Sequence, residues 1–213
     1  SSLLDLQAEQ FRDKECIKDS EVLEAFRESQ DRVISMALIH EELYKGGGFE
    51  KLNFSPYIEE LAENLLQTYS LGNTDISLKL DLAKSAFFDM DIAVPLGMIV
   101  NELVSNSLKH AFIERDEGKI RIKLYREEYT EFESEDCESS NFVLTISDNG
   151  VGIPENLDIE DIDSLGMQLV TTLVDQLDGE FELKRNNGTE FTIKFKVKEN
   201  NNAASMPAPQ LME

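Results

Sequence analysis

The sequence predicts an α+β fold, in which a helical hairpin precedes a domain of mixed helices and strands. Three observations carry this reading. Apolar residues recur at mixed three and four spacing from Glu21 to Tyr44, Ile76-Ser77-Leu78-Lys79-Leu80-Asp81-Leu82 alternates strictly, and two later apolar runs flank Asn186-Asn187-Gly188. That last tripeptide is a turn sequence that wants positive φ. A length of 213 residues suits one domain plus an appendage, and 41% hydrophobic content supports a core.

The elements follow in order. Ser1 to Cys16 reads as the end of a helix already in pattern at Leu3 and Leu4, so more helix is expected ahead of it. Lys18-Asp19-Ser20 offers a turn and N-cap. In the long helix that follows, Val22, Phe26, Val33, Ala37 and Leu43 fall in pattern, with Met36 and Ile39 beside them. Residues 1–45 are thus an incomplete hairpin. Two helices alone bury too little, so the hairpin either packs on the next domain or pairs with a second copy of itself. Gly46-Gly47-Gly48 is the expected hinge of a 46–53 linker.

The domain proper is expected over 54–198. Ser55-Pro56 caps a helix with Ile58, Leu61, Leu65, Leu66 and Tyr69 on one face, and Gly72-Asn73 stops it. Pro95 to about Phe112 is helical, Lys119 to Tyr125 and Phe142 to Ser147 are strands, and Leu165 to Leu177 is helical. Phe181 to Arg185 and Glu190 to Val197 close it as a hairpin. The acidic stretch Glu127 to Ser140 has no period and reads as a solvated loop. The tail 199–213 has none either and is expected to be disordered.

A formal net charge of −23 argues against nucleic-acid or anionic-membrane partners, whose phosphates it would repel. The apolar stretch Ile92 to Val100 is broken by Pro95 and Gly97 and falls short of the roughly 20 residues that cross a bilayer. No secretory leader is visible. Cys16 and Cys137, far apart and outside metal-ligand spacing, read as free thiols of a reducing cytosol.

Two patches carry the chemistry. On the helix from Asn101 to His110, Leu96, Ile99, Val100, Leu103, Val104, Leu108 and Ala111 share one side, and Glu102, Asn106, Lys109 and His110 form a polar stripe on the other. Such a stripe is ordinarily a wet surface, yet Asn is a poor choice for one. Its amide oxygen is a hard, neutral ligand suited to Mg2+, which shares its sites with waters and nucleotide phosphates. Asn106 fits that role. Glu102 could orient or deprotonate an attacking group, and Lys109 could meet phosphate oxygens; His110 is more often a structural residue at a helix end than a phosphate contact.

The second patch is Asp148-Asn149-Gly150-Val151-Gly152-Ile153-Pro154, at the end of a strand. Asn-Gly alone would suggest a hairpin, but no alternating strand follows. A carboxylate at a strand end can accept the amino hydrogen of adenine, and Gly150 and Gly152 would let the base lie against the main chain. A dinucleotide-binding loop would need glycines opening a helix directly, which a proline and an acidic loop prevent here. Ser164-Leu165-Gly166-Met167 then starts a helix whose first N–H groups can bind anions, with residues 155–164 as a lid or a plain acidic loop.

These residues resemble the histidine kinases of two-component systems, whose ATP-binding domain is shared with gyrase and mismatch-repair ATPases. The resemblance covers nearly all of Ser1 to Val197. Glu102 and Asn106 match the N box, Asp148 to Gly152 the first glycine box, Leu165-Gly166-Met167 the second, and Asn187-Gly188-Thr189 the third. Ser29 to Glu41 is similar to the second dimerisation helix of the subgroup with glutamate in the N box. The resemblance implies a two-layer α/β sandwich, a mixed sheet with three helices on one face. It further implies ATP and Mg2+ as ligands, with Ile153, Leu165, Met167 and Thr189 among the contacts. It departs from the family in three places. The phosphoacceptor histidine, which the subgroup carries just upstream of a stretch like Ser1 to Gln7, is missing; Ser164 stands where many relatives have glycine; and the lid has no phenylalanine-rich box. His40, at an apolar-face position, reads as a packed or capping residue.

The expected function is the catalytic region of a sensor histidine kinase, which transfers the γ-phosphoryl of ATP to a histidine upstream of Ser1 for relay to a response regulator. It is expected to be cytoplasmic and a homodimer in the intact protein. The alternatives are a non-catalytic dimeric nucleotide-binding adaptor, against which the intact Glu102, Asn106 and Asp148 argue, and an ATP hydrolase of the gyrase type.

Overall fold

Strand alternation decides which side of a sheet is dry, and here it leaves one apolar face to be covered. The computed structural model describes residues 26, 29–30, 32–39, 41, 51–69, 75–84, 86–127, 139–154 and 164–198. In chain order the elements are β1 (Leu52–Asn53), α1 (Phe54–Tyr69), β2 (Asp75–Leu82), β3 (Phe87–Phe88) and α2 (Met90–Asn106), which continues as a π-helical turn at Ser107–Ala111. Then come β4 (Glu117–Arg126), β5 (Ser139–Asp148), α3 (Leu165–Gln176), β6 (Glu180–Lys184) and β7 (Thr189–Lys198). The described residues 26, 29–30, 32–39 and 41 are also helical.

Five strands form one mixed sheet in the order β2-β4-β5-β7-β6. The β2–β4 pair is parallel, and the other neighbours are antiparallel. Ile120, Ile122 and Leu124 of β4, Leu144 and Ile146 of β5, and Ile193 and Phe195 of β7 are buried, whereas Lys194, Lys196 and Lys198 are exposed. α1, α2 and α3 supply the opposing half of this core through Ile58, Leu61, Leu96, Ile99, Leu103, Val170 and Val174. The fold is the two-layer sandwich that the family resemblance implies.

An aromatic cluster fixes the end of the sheet remote from Asp148. Phe88 lies edge-on to Phe142 and Phe195 at centroid distances of 5.1 and 5.7 Å, and Phe54 stands 5.3 Å from Phe88. Each such pair adds about 0.5–1.5 kcal/mol beyond its buried area. β5 therefore has a fixed start, and roughly 20 Å further on it delivers Asp148.

Some boundaries differ from the sequence expectation. α2 starts at Met90, not Pro95, because Asp89 is extended and carries the chain into the helix there. Pro95 lies inside, where its missing N–H leaves the Asp91 carbonyl without its intrahelical donor. α1 starts at Phe54, and Ser55 Oγ donates to the Ala83 carbonyl at 2.9 Å instead of capping the helix. Ser139 and Ser140, expected in the acidic loop, pair with Lys198 and Val197 within the sheet. Leu52 and Asn53, at the end of the expected linker, pair with Phe88 and Phe87. Asn187 and Gly188 have φ of 55° and 116°, as the turn sequence requires. The Ser1–Cys16 helix, Gly46–Gly48, Gly72-Asn73, His40, both cysteines, and most of the acidic loop, the lid and the tail lie outside the described residues.

The helical segment at 32–39 shows two faces. Arg32, Ser35, Leu38 and Ile39 are buried, while Phe26, Val33 and Met36 of the expected apolar stripe are exposed, as is Ile34. Tyr57 of α1 is buried against this segment, donating to the Ser35 carbonyl at 3.4 Å. It lies so close to α2 that a Cβ on Gly97 would collide with its ring. Burial pushes the Tyr57 hydroxyl well above the usual tyrosine range. A raised folded-state value stabilises the fold below the unfolded value, about pH 10, and that stabilisation is lost as pH rises further. Chemical denaturation should therefore show stability falling above about pH 10, with a shallower fall in Tyr57→Phe; equal slopes in the two proteins would contradict this account.

Candidate nucleotide-binding site

The site forms where α2 ends. Beyond Asn106 the helix widens into the π-helical turn Ser107–Ala111, a form that recurs at functional sites. Its last residue offers a carbonyl without an intrahelical donor, and the Val151 N–H bonds the Ala111 oxygen at 2.8 Å. The glycine loop is thereby tied to the helix.

Asp148 is the second tie. Its Oδ1 accepts from the Gly150 N–H at 2.9 Å and the Thr189 N–H at 3.3 Å, and its Oδ2 accepts from Ser107 Oγ at 3.0 Å. A carboxylate has about four acceptor positions, so room remains for one further donor. Asn149 fixes the loop from the other side: its Oδ1 accepts from the Lys119 N–H at 2.7 Å, and its carbonyl accepts from Arg115 Nη1 at 2.6 Å.

Two glycines are required by close approach. A Cβ on Gly150 would strike the Ala111 carbonyl, and one on Gly188, at φ +116°, would strike the Asp148 carbonyl. Gly150 thus makes room for the π-helical turn. The first and third glycine boxes interlock through Asp148.

The resulting cleft, of about 320 Å³, is lined by Asn106, His110, Asp148, Gly152, Ile153, Met167 and Thr189 among the residues singled out in the sequence. Leu103, Ser107, Ala111, Pro154, Ser164 and Phe191 complete the lining. Apolar walls with a few convergent polar groups suit a flat purine. Ser164 caps α3, its Oγ accepting from the Met167 N–H at 3.3 Å, which gives the serine that departs from the family glycine a structural role. Gly150, Leu165 and Gly166 stand outside the lining. So does Lys109, whose ammonium lies 5.3 Å from the centroid of the Tyr69 ring.

Glu102 stands outside it too. Only 4% exposed, it is held by the fully buried Arg32, with Nε on Oε1 at 2.6 Å and Nη2 on Oε2 at 2.9 Å. Asn101 Nδ2 adds a bond to Oε1 at 3.3 Å, and Ser35 Oγ donates to Asn101 Oδ1 at 3.0 Å. A Cβ on Gly166 would come within 2.6 Å of Glu102 Oε2. Breaking such a buried pair from one side costs about 3–5 kcal/mol. The stripe of α2 is therefore covered only at Glu102, while Asn106 and Lys109 are half-buried and His110 is exposed, and the Arg32 and Ser107 partners were not visible as such in the sequence.

Among the described residues no group of three His, Cys, Asp or Glu side chains could hold a metal ion. The donor chemistry fits Mg2+ only in the shared manner: Asn106 lines the cleft, and phosphates and waters would supply the other ligands. No described helix is long and apolar enough to cross a membrane.

A family model described as Histidine kinase matches residues 1–69, and one described as Histidine kinase-, DNA gyrase B-, and HSP90-like ATPase matches residues 91–199. The sensor histidine kinase PdtaS of Mycobacterium tuberculosis is 29% identical over 204 residues, which are 92% of this chain and 36% of that protein. Serine-protein kinase RsbW of Listeria monocytogenes is 30% identical over 112 residues, 51% of this chain and 69% of that protein. This chain thus spans little more than a third of the mycobacterial kinase. The histidine kinase domain of the Erythrobacter litoralis EL346 blue-light activated histidine kinase shares the fold, with a TM-score of 0.66, 23% identity, and coverage of 79% of this chain and 74% of that one. Matching this family model over more than half its length, the chain belongs to the histidine kinase-, DNA gyrase B-, and HSP90-like ATPase family.

Proposed function

We propose that this chain is the catalytic region of a sensor histidine kinase. It binds ATP with Mg2+ and passes the γ-phosphoryl to a histidine, from which a response-regulator receiver domain takes it. The observation that carries the reading is the convergence of Asn106 and Asp148 on one cleft, although they come from a helix end and a strand end. The family resemblance points to an acceptor ahead of Ser1.

Catalysis of this kind rests on positioning and charge neutralisation. Asp148 uses its remaining acceptor position for the adenine amino group. Gly152, Ile153, Met167 and Thr189 frame the base and sugar, Gly150 lets the Ala111 backbone approach, and Gly166 leaves room for the Glu102 side chain. Asn106 seats the metal, which when bound neutralises phosphate charge. Leu165 and Gly166 open α3, whose first N–H groups suit phosphate oxygens. His110 and Lys109 follow Asn106 on the widened turn, and Lys109 reaches phosphate by leaving the Tyr69 ring. Glu102 assists the attacking group.

Residues 1–45 serve as an incomplete dimerisation hairpin, 46–53 as a linker, 54–198 as the catalytic domain and 199–213 as a tail. The exposed Phe26, Val33, Ile34 and Met36 support pairing with a second copy in the intact protein. ATP as substrate supports a cytoplasmic location.

Losing a charged acceptor costs about 1.5–3 kcal/mol, so Asp148→Asn should weaken ATP binding in calorimetry by roughly tenfold or more; unchanged affinity would count heavily against the site. Asn106→Leu should abolish the tightening of nucleotide binding that Mg2+ brings, with Mg2+-free binding retained, and persistence of that tightening would move the metal elsewhere. Incubation with γ-labelled ATP should leave the chain unlabelled. Label on His40 that vanishes in His40→Gln would make that residue the acceptor.

A further inference from the structure

The Arg32–Glu102 pair joins a helical segment to the nucleotide-binding helix across 70 residues of sequence, and it takes both oxygens of the side chain read above as assisting the attack. We propose that Arg32 is the positioning residue of Glu102 and acts as a latch. While the guanidinium holds the carboxylate, Glu102 stays out of the cleft; when the segment bearing Arg32 shifts, Glu102 is released to take the proton of the attacking group. The inference rests on the reading of Glu102 given under the proposed function.

Four observations support it. Glu102 is 4% exposed and does not line the cleft, although Asn106, one turn on, does. The position of a Cβ on Gly166 lies 2.6 Å from Glu102 Oε2 and 3.9 Å from Asn106 Nδ2, so the carboxylate is close to the cleft without facing it. The segment holds it at two points one helical turn apart, through Arg32 directly and through Ser35 by way of Asn101. Finally, a buried ion pair is a poor device for stability alone, since well-packed apolar residues do as well, and in some proteins such groups are kept to set one arrangement against another. The outer face of the segment, with Val33 and Ile34, is exposed, which leaves it a surface by which to be moved.

With water as the nucleophile, the step that the latch restrains is ATP hydrolysis. The water oxygen bonds the γ-phosphorus, the bond from that phosphorus to the bridging oxygen breaks, ADP leaves with the electron pair, and Glu102 accepts the water proton.

Phosphate release from ATP and Mg2+ by the full chain tests this, with nucleotide affinity measured alongside. Arg32→Met should raise kcat at least roughly tenfold, within the range of a freed general base, with KM unchanged. Ser35→Ala, a milder release, should raise it less. The double variant Arg32→Met/Glu102→Gln should fall to the level of Glu102→Gln alone. An unchanged or lower kcat in Arg32→Met with nucleotide binding intact overturns the latch, and should that variant not fold, absence of any rise in Ser35→Ala does so. If Glu102→Gln leaves turnover unaltered while Asp148→Asn weakens binding, the latch fails and the nucleotide site stands. Loss of nucleotide binding by the unaltered chain would instead overturn the proposed function, and the latch with it.

Discussion

The Asp148 carboxylate takes hydrogen bonds from the Gly150 and Thr189 N–H groups and from the Ser107 hydroxyl, and so holds three separate parts of the chain to one end of β5. Each partner belongs to a different piece of the cleft: the glycine loop, the start of β7 and the widened turn after α2. Charge-assisted bonds of this kind are about twice as strong as neutral ones, and three on one group leave little freedom. The aromatic cluster at the far end of β5 and β7 fixes those strands, which places Asp148 where the three donors meet.

α2 works on two sides. Its C-terminal end opens into the π-helical turn and offers Asn106 to the cleft, while one turn earlier Glu102 is turned to Arg32. Gly166 sits between these two groups, at the start of α3, where any side chain would meet the Glu102 carboxylate. A side chain at Gly166 and a shift of the helical segment at 32–39 therefore bear on the same carboxylate.

Much of this was legible in the sequence because strong local rules apply. Strict alternation at 76–82 and the Asn187-Gly188 turn are fixed by pleat and by φ, and both appear where they were read. Asn106 stood out as a residue type that a wet surface would not select, and Asp148 because no alternating strand follows its Asn-Gly. Other features have no local signal. Apolar spacing does not encode a π-helical turn, two-residue strands such as Leu52–Asn53 are too short to alternate, and Pro95 suggested a helix start five residues late. Arg32 was hidden for a different reason: its partner is 70 residues away, and on its own it reads as one charge among many on an amphipathic helix. Ser164 looked like a departure from a glycine, and only the Met167 N–H bond shows that it caps α3.

The central claim is that one nucleotide site is assembled around Asp148, and backbone amide NMR during titration with ATP and Mg2+ tests it most directly. The account expects Gly150, Gly152, Met167 and Thr189 resonances to shift together along one binding curve, with the exposed strand positions Lys194 and Lys196 unmoved. Shifts confined to those strand positions, with the four site amides unchanged, would contradict it.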